Sequence, residues 1–279
     1  MKVASIQMVS GTDVQANLAQ ARALLGEAAQ AGAELAVLPE YFCLLGRHDA
    51  DKLAIQERDG QGPIQQFLAD TARELNGWIA GGTVPLSVPQ DAGGVVEAAD
   101  RVFNSTLVYN PQGDRVARYD KIHLFRFDNG QEAYDESRVL ASGQAPVLFD
   151  LPSRDGHCWR IGLSICYDLR FPELYRTYAR AGADMMLVPS AFTYTTGKAH
   201  WEVLLRARAI ENLSFVAAAA QGGLHDNGRR TWGQSLLIDP WGEILAERAE
   251  AAGWVMADLN YERLTACRSS LPALTHRVL

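Results

Sequence analysis

A short segment occurs twice in the sequence, once in each half of the chain. Residues 31–39 read AGAELAVLP, and residues 181–189 read AGADMMLVP. Each copy follows a helical pattern and is typical of a buried strand closed by proline. Later in each half comes a Pro/Gly turn between β-rich stretches, at Asn110–Gly113 and at Asp239–Gly242. Two similar α/β halves predict a sandwich in which two sheets face each other and helices lie outside.

The spacing of apolar residues predicts several helices. The clearest are one capped by Thr12 and ended by Gly32, one that follows Cys166 and ends before Gly182, and one from about Ala199 to Asn212. The Gly-rich segment Asp91–Val95 is predicted to be a surface loop. No linker, low-complexity run or block of charge interrupts the chain, so residues 1–279 are predicted to form a single domain.

Composition excludes several classes of function. Hydrophobic residues make up 48% and charged residues 21%, as in globular proteins. The 26 basic and 33 acidic residues give a formal charge of −7, which does not suggest a nucleic-acid partner. Residues 3–8 are typical of a strand rather than of a signal peptide, and no run approaches the ~20 apolar residues needed to span a membrane, so neither feature is expected. The four cysteines lack paired spacing, which favours a reducing cytoplasm, and no metal-binding motif or cofactor is indicated.

One apolar run stops abruptly at a cysteine. The stretch from Arg160 to Ile165 is typical of a buried strand, and a helix is predicted to begin shortly after Cys166. Such a turn places the thiol at the mouth of a sheet, beside helix N-terminal amides that favour a thiolate. A free cysteine usually packs as a small hydrophobe. Its position at a strand-to-helix turn favours chemistry instead.

Two further segments bring ionisable groups to the ends of strands. Glu40 follows the apolar run Leu35–Pro39, and Lys121 follows a hairpin. With Cys166 they form a complete hydrolytic set. The glutamate takes the thiol proton and gives it to the leaving group, and the cysteine carries the acyl group. The lysine stabilises the oxyanion, assisted by the N–H of Tyr167.

Three motifs occur together in this order: LPEYF at residues 38–42, YDKIHL at 119–124 and GLSICYDLRFPE at 162–173. On these motifs the chain resembles the nitrilase or carbon–nitrogen hydrolase superfamily, from Val3 to near the C-terminus. The resemblance implies a four-layer αββα fold and a Glu–Lys–Cys catalytic set at Glu40, Lys121 and Cys166. It also implies at least a homodimer, packed through helical faces.

Glu136 takes on a role only through this resemblance. Taken alone, it is a solvated loop carboxylate, because glutamate is rarely buried unpaired. Related enzymes carry a glutamate in an equivalent Glu-Ser…Gly stretch near the catalytic lysine. The resemblance therefore implies that Glu136 supports the site by orienting Lys121 or the substrate amide.

The resemblance also suggests which bond is cut. Tyr167-Asp168 stands where true nitrilases commonly have Trp-Glu, which favours an amidase. Residues 189–212 are similar to amidases that hydrolyse deaminated glutathione, and the ω-amidases acting on α-ketoglutaramate and α-ketosuccinamate are the alternative. We therefore expect a small 2-oxo acid amide as substrate, cleaved at a terminal carboxamide to the acid and ammonia through a thioester.

Both candidate substrates carry a carboxylate, which calls for an arginine. Arg170, four positions past the cysteine, is the first candidate and Arg126 the second. Phe192 is expected to line the pocket, and Tyr167 to contact the substrate.

Other functions stay open at this level. A Cys–His enzyme would need His123, His200 or His225 beside the thiol, and would leave the glutamate and the lysine unexplained. A redox role would normally require a resolving cysteine near Cys166, and Cys43 and Cys158 are the candidates. A catalytically silent binding protein is compatible with the fold, although no member of the catalytic set is missing.

Overall fold

The structure is a computed structural model and describes residues 1–89 and 101–278. The segment Asp91–Val95, predicted to be a surface loop, lies outside the described residues. In chain order the elements are β1 (Lys2–Gln7), α1 (Val14–Gln30), β2 (Leu35–Val37), α2 (Asp51–Ala54), α3 (Pro63–Leu75), β3 (Trp78–Ala80), β4 (Val84–Ser87), β5 (Val102–Tyr109), β6 (Arg115–Asp120), β7 (Arg126–Asp128), β8 (Ala133–Asp135), β9 (Leu140–Ala141), β10 (Leu148–Pro152), β11 (Cys158–Leu163), α4 (Pro172–Arg180), β12 (Met185–Leu187), α5 (Tyr194–Asn212), β13 (Phe215–Ala218), β14 (Gly222–Leu224), β15 (Arg230–Trp232), β16 (Ser235–Ile238), β17 (Ile244–Arg248), β18 (Gly253–Asp258) and α6 (Tyr261–Ser270).

The strands form two large mixed sheets. The first has the order β18-β1-β2-β3-β5-β4, with β6 and β9 also paired to β5. The second has the order β10-β11-β12-β13-β16-β17. In each sheet three neighbouring strands are parallel, β1-β2-β3 in the first and β11-β12-β13 in the second. Two small ribbons, β7-β8 and β14-β15, stand apart from the sheets.

The buried side chains fall into two clusters that define the layers. Successive residues of a strand point to opposite faces. In β2, Leu35 and Val37 join a cluster with Leu163 and Leu187 of the second sheet, whereas Ala36 joins a cluster with α1 and α3. Helices α4 and α5 pack on the second sheet through the first of these clusters. The order is helix, sheet, sheet, helix, which confirms the predicted αββα sandwich.

The two copies of the repeated segment occupy corresponding places in the two sheets. They form β2 and β12, each of which pairs in parallel with a strand on either side. Helices α1 and α4 precede them. The two predicted turns connect antiparallel strands, β5 to β6 and β16 to β17. Gly113 and Gly242 take left-handed φ values of 80° and 84°, where a side chain would be strained.

Two helix starts differ from prediction. Asp13, not Thr12, caps α1, because its carboxylate accepts a first-turn N–H at 3.0 Å while Thr12 donates to an aspartate in a distant loop. Helix α5 begins at Tyr194 rather than about Ala199, because Thr193 accepts a first-turn N–H at 3.3 Å. In the described part of the chain, no helix has both the length and the apolar character needed to span a membrane.

Candidate active site

Three of the predicted site residues lie just beyond strand ends. Glu40 comes soon after β2, Lys121 directly follows β6, and Cys166 opens a short 3₁₀ helix, Cys166–Arg170, that follows β11. The structure brings them together. Glu40 and Cys166 line one cleft with about 520 Å³ of empty space, its open mouth included, and Lys121 lies buried behind Glu40.

Lys121 is an ammonium held between two carboxylates. Its Nζ lies 2.9 Å from Oε1 of Glu40 and 2.9 Å from Oε2 of Glu136, and its side chain is 0% exposed. Burial alone would lower its pKa, but the charges of Glu136 and Glu40 outweigh burial and hold the pKa well above its usual value. Lys121 is therefore a positive charge at neutral pH.

Glu40 is fixed through both of its oxygens. Oε1 accepts from Nδ2 of Asn104 at 2.8 Å as well as from Lys121, and Oε2 accepts from the backbone N–H of Ala191 at 2.9 Å. Ala191 lies just after the second copy of the repeated segment, whereas Glu40 lies just after the first. The corresponding ends of the two sheets therefore meet at this carboxylate.

Cys166 sits on a strained turn next to Glu40. Its φ is 50°, and its N–H donates to the carbonyl of Pro189 at 2.9 Å, so this N–H is engaged within the protein. The thiol donates to the carboxylate of Glu40. Burial and the charge of Glu40 raise the pKa of the thiol well above its usual value, against the opposing effect of Lys121.

The resting nucleophile is thus a protonated thiol. The expectation that helix amides would favour a thiolate is wrong here, because burial next to two carboxylates outweighs them. A thiol needs a base in order to attack, and the carboxylate to which Cys166 donates is in position to serve as one.

A second buried carboxylate, Asp168, connects the two loops of the site. It accepts from the N–H of Ile165 at 2.9 Å, the hydroxyl of Tyr119 at 2.7 Å and the N–H of His123 at 3.0 Å. It also lies 2.7 Å from Nδ1 of His123. Tyr119 and His123 flank Lys121 in the chain. Asp168 thereby ties the turn of the nucleophile to the loop of the lysine, a role that its sequence position did not reveal.

Glu136 lies at the site, as the resemblance implied. Its Oε1 accepts from the hydroxyl of Tyr41 at 2.9 Å, and its Oε2 accepts from the N–H of Phe125 at 2.7 Å. Further along the same stretch, Gly143 donates its N–H to the carbonyl of Lys121 at 2.8 Å. A Cβ on Gly143 would come within 2.0 Å of a backbone oxygen, so the lysine loop requires glycine here.

We predict that Glu136→Gln folds normally and lowers kcat/KM by about 100-fold. Glutamine keeps the shape, but its single oxygen can accept only one of the two bonds from Tyr41 and Phe125, and it removes one of the two charges that hold the Lys121 ammonium. Rates and thermal unfolding of both proteins test this. Glu132→Gln, a partly exposed position on the same segment outside the cleft, is the matched control and should act normally. Near-normal turnover of Glu136→Gln would remove Glu136 from the site.

All three residues predicted to contact substrate line the cleft. Tyr167 and Phe192 do so, and the guanidinium of Arg170 lies 5.8 Å and 5.4 Å from the centres of their rings. Arg170 also lies 3.3 Å from Nδ1 of His200, but it forms no ion pair with a carboxylate in the described ranges, 1–89 and 101–278. Arg126, the second candidate, is exposed on β7 and does not line the cleft.

The structure does not supply the contacts that a Cys–His enzyme would need. His123 bonds Asp168, His200 bonds Arg170, and His225 lies within the β14–β15 hairpin; none of the three lines the cleft. The four cysteines, all of them described, are free thiols. Within residues 1–89 and 101–278, no three His, Cys, Asp or Glu side chains are grouped as metal ligands.

Four further residues at the site escaped sequence reasoning. Tyr41 donates a hydrogen bond to Glu136, and Asn104 donates one to Glu40. Lys52 and Arg229 line the cleft. Asn104 carries only a weak signal, since it is the first of three successive polar residues in β5, a strand that begins and ends with apolar ones. Lys52 and Arg229 carry none, because only the tertiary fold brings their distant segments together.

Comparison with known proteins places this geometry in a family. The model of the carbon–nitrogen hydrolase family matches residues 2–269. A deaminated glutathione amidase of Synechocystis sp. is 40% identical over 277 residues, which cover 99% of this chain and 97% of that protein. Omega-amidase NIT2 of Homo sapiens is 34% identical, with 99% and 94% covered. The crystal structure of Saccharomyces cerevisiae Nit3, a member of branch 10 of the nitrilase superfamily, matches with a TM-score of 0.86 at 29% identity, covering 100% of this chain and 97% of that one. A fold with paired sheets, a cleft at their joined ends and a full-length family match lead to one conclusion: the chain belongs to the carbon–nitrogen hydrolase family of the nitrilase superfamily.

Proposed function

We propose that this hydrolase of non-peptide carbon–nitrogen bonds is an amidase for small 2-oxo acid amides, with deaminated glutathione as its first candidate substrate. Its catalytic residues are Glu40, Lys121 and Cys166. The observation that carries the proposal is the hydrogen-bonded series from the thiol through Glu40 to the buried Lys121 ammonium, at the wall of a cleft. A base, a nucleophile and a fixed cation are what acyl transfer from an amide requires.

In the first half of the reaction, Glu40 removes the thiol proton as the sulfur of Cys166 attacks the amide carbonyl. The carbonyl electrons move to oxygen, and this oxyanion is stabilised by the Lys121 ammonium and the N–H of Tyr167. Glu40 then gives its proton to the amide nitrogen, the C–N bond breaks, and the amine leaves. The acyl group remains on sulfur as a thioester.

In the second half, Glu40 takes a proton from water while the water oxygen attacks the thioester. The C–S bond breaks, the proton returns to sulfur through Glu40, and the acid leaves. Because Glu40 is held by Asn104 and Ala191, it keeps its place in both halves. The net reaction consumes one water and yields one acid and one amine.

Arg170 is the proposed partner of the 2-oxo acid carboxylate. It lies on the same short 3₁₀ helix as Cys166, so it is on the side of the cleft to which the acyl group is attached. Its guanidinium has no carboxylate partner within the described residues. One of its nitrogens, Nη1, lies 3.3 Å from Nδ1 of His200, and its other N–H groups can donate to a substrate. The ring centres of Phe192 and Tyr167 lie 5.4 Å and 5.8 Å from the guanidinium, within the range of cation–π contacts that orient it.

The two candidate substrates differ in their leaving groups. α-Ketoglutaramate has a terminal carboxamide and releases ammonia. In deaminated glutathione the cleaved nitrogen belongs to a cysteine residue, so the leaving group is the amine of cysteinylglycine. For this substrate the expected cleavage of a terminal carboxamide to ammonia is therefore wrong. Both give 2-oxoglutarate, and that common product allows their rates to be compared directly.

The test is a substrate panel of deaminated glutathione, α-ketoglutaramate, glutamine, an N-carbamoyl amino acid and an aliphatic nitrile. We expect deaminated glutathione to have the highest kcat/KM and glutamine to be at least about 100-fold slower, because it lacks the 2-oxo group and carries an added ammonium. A clear preference for α-ketoglutaramate would favour the ω-amidase alternative. Turnover confined to the nitrile or the carbamoyl compound would contradict the proposal, and no turnover at all would favour a silent binding protein.

Several wider features are part of the same proposal. We expect the chain to act as a single domain without a cofactor, in the cytoplasm, with a small-molecule amide as its partner. We also expect a homodimer or a higher homo-oligomer. Two exposed apolar side chains on α5, Val203 at 68% and Ile210 at 45%, support packing through a helical face.

A further inference from the structure

The cleft contains cations in two separate groups. Arg170 belongs to the 3₁₀ helix of the nucleophile. The second group is Lys52 with Arg229, which we call the Lys52–Arg229 pair; both side chains line the cleft, and both approach Asp49. The catalytic mechanism uses neither of them. Within this group two cations share one carboxylate, and the charges of Glu136 and Glu40 also act on Lys52.

Lys52 is a buried ammonium with weak internal partners. The residue is 8% exposed, and its Nζ lies 3.4 Å from the carbonyl of Asp49 and 3.5 Å from the Oδ1 of the same residue. It also lies 4.6 Å from the centre of the Tyr41 ring. An ammonium has three donors, and burying it without short hydrogen bonds is costly. Burial accordingly lowers the pKa of Lys52. An anion in the cleft would supply what these contacts lack.

Arg229 completes the pair from the other half of the chain. It lies in the hairpin between β14 and β15, and its Nη1 is 3.8 Å from Oδ1 of Asp49, too far for a hydrogen bond. Its guanidinium lies 5.2 Å from the centre of the Tyr134 ring, and its side chain is 28% exposed. Arg229 therefore contacts Tyr134, with which it also shares a side-chain hydrogen bond, and forms none with Asp49.

The position of the pair indicates which end of a substrate it meets. Glu40 must reach the amide nitrogen to protonate it, so the leaving group extends along the Glu40 side of the cleft. Tyr41 follows Glu40 in the chain, and its hydroxyl donates a hydrogen bond to Glu136. The ammonium of Lys52 lies over the Tyr41 ring. Arg170, by contrast, lies on the helix of Cys166, to which the acyl group is bound. The two cation groups thus correspond to opposite ends of the amide.

We propose that the Lys52–Arg229 pair is a second carboxylate subsite, which binds a carboxylate carried by the amine leaving group. This inference rests on the proposed function and deepens it. The preferred substrates are then dianionic amides, with one carboxylate on the acyl part at Arg170 and another on the leaving amine. A C-terminal dipeptide leaving group meets this requirement, and ammonia does not.

The experiment compares deaminated glutathione with its C-terminal carboxamide, which differs only in lacking the leaving-group carboxylate. For the unaltered protein we expect kcat/KM to be at least about tenfold higher for the acid, mainly through KM. Arg229→Met and Lys52→Met should each bring this ratio close to one. Arg170→Met should lower both rates and leave the ratio unchanged. Arg230→Met, at an exposed neighbour paired with Glu250, is the matched control and should behave as the unaltered protein.

The outcomes separate the two claims. If the unaltered protein hydrolyses both compounds at similar rates, or if Arg229→Met and Lys52→Met lower both alike, the subsite is wrong and the amidase assignment stands. If neither compound is hydrolysed, the proposed amidase function is wrong, and so is the subsite proposal that rests on it. The two variants serve as independent tests, so misfolding of one leaves the other to decide.

Discussion

Cys166→Ala is expected to lower kcat by at least about 10⁴-fold without disturbing the fold. The proposed reaction forms and breaks a bond to sulfur, and alanine has no atom that can take its place. Cys166 has a φ of 50°, which strains any residue with a Cβ. Alanine also has a Cβ and keeps that strain, so the variant isolates loss of the thiol. Turnover of deaminated glutathione and thermal unfolding of both proteins measure the effect.

The chain supplies its own control for this variant. Cys158 is the exposed cysteine at the start of β11, the strand that leads to the nucleophile. Cys158→Ala should keep full turnover, because its thiol lies outside the cleft. If Cys166→Ala hydrolyses the amide at the rate of the unaltered protein, the thioester mechanism is excluded.

The sequence could predict features that depend on local pattern. Strand ends, Pro/Gly turns and helical stripes are encoded by neighbouring residues, and the repeat predicted β2 and β12 as buried strands, one in each half of the chain. The positions of Glu40 and Cys166 followed from the same reasoning, because apolar strands that end at ionisable residues bring them to a sheet edge. Glu136 needed the family resemblance, since nothing in its own segment distinguishes it from a solvated carboxylate.

Features that depend on contacts between distant segments could not be predicted. The bond from Asn104 to Glu40 and the approach of Arg229 to Asp49 each join segments far apart in the chain. The protonation state of Cys166 belongs to the same class. The position of Cys166 at the start of a helix favours a thiolate. The pKa of its thiol, however, is determined by burial and by carboxylates contributed by other segments.

Lys121→Met is expected to destabilise the protein by about 3–5 kcal/mol and to lower kcat/KM by about 10³-fold. The lysine is 0% exposed, and its loss leaves Glu40 and Glu136 as buried carboxylates without a cation between them. It also removes the charge that stabilises the oxyanion. Denaturant unfolding at pH 7 measures the first effect, and turnover measures the second.

The expected pH dependence of the free energy of unfolding supports a measurement at pH 7. The pKa of Lys121 is raised in the folded state by the two glutamates, so the ammonium contributes its full stabilisation below its ordinary value of 10.5 and loses it only as the pH rises through the higher, folded-state pKa. At pH 7 the whole contribution is therefore present in the unaltered protein, and the difference from Lys121→Met reports all of it.

A second substitution distinguishes electrostatics from simple loss of packing. If the instability of Lys121→Met comes from two unpaired carboxylates, adding Glu136→Gln removes one of them and should recover at least about 1 kcal/mol. If it came from lost side-chain volume, the second change would bring no recovery. Lys198→Met, at an exposed lysine of α5, should change stability by no more than about 0.5 kcal/mol. Full stability of Lys121→Met alone would mean that its ammonium does not neutralise the glutamates, and the charge arrangement on which the mechanism depends would be wrong.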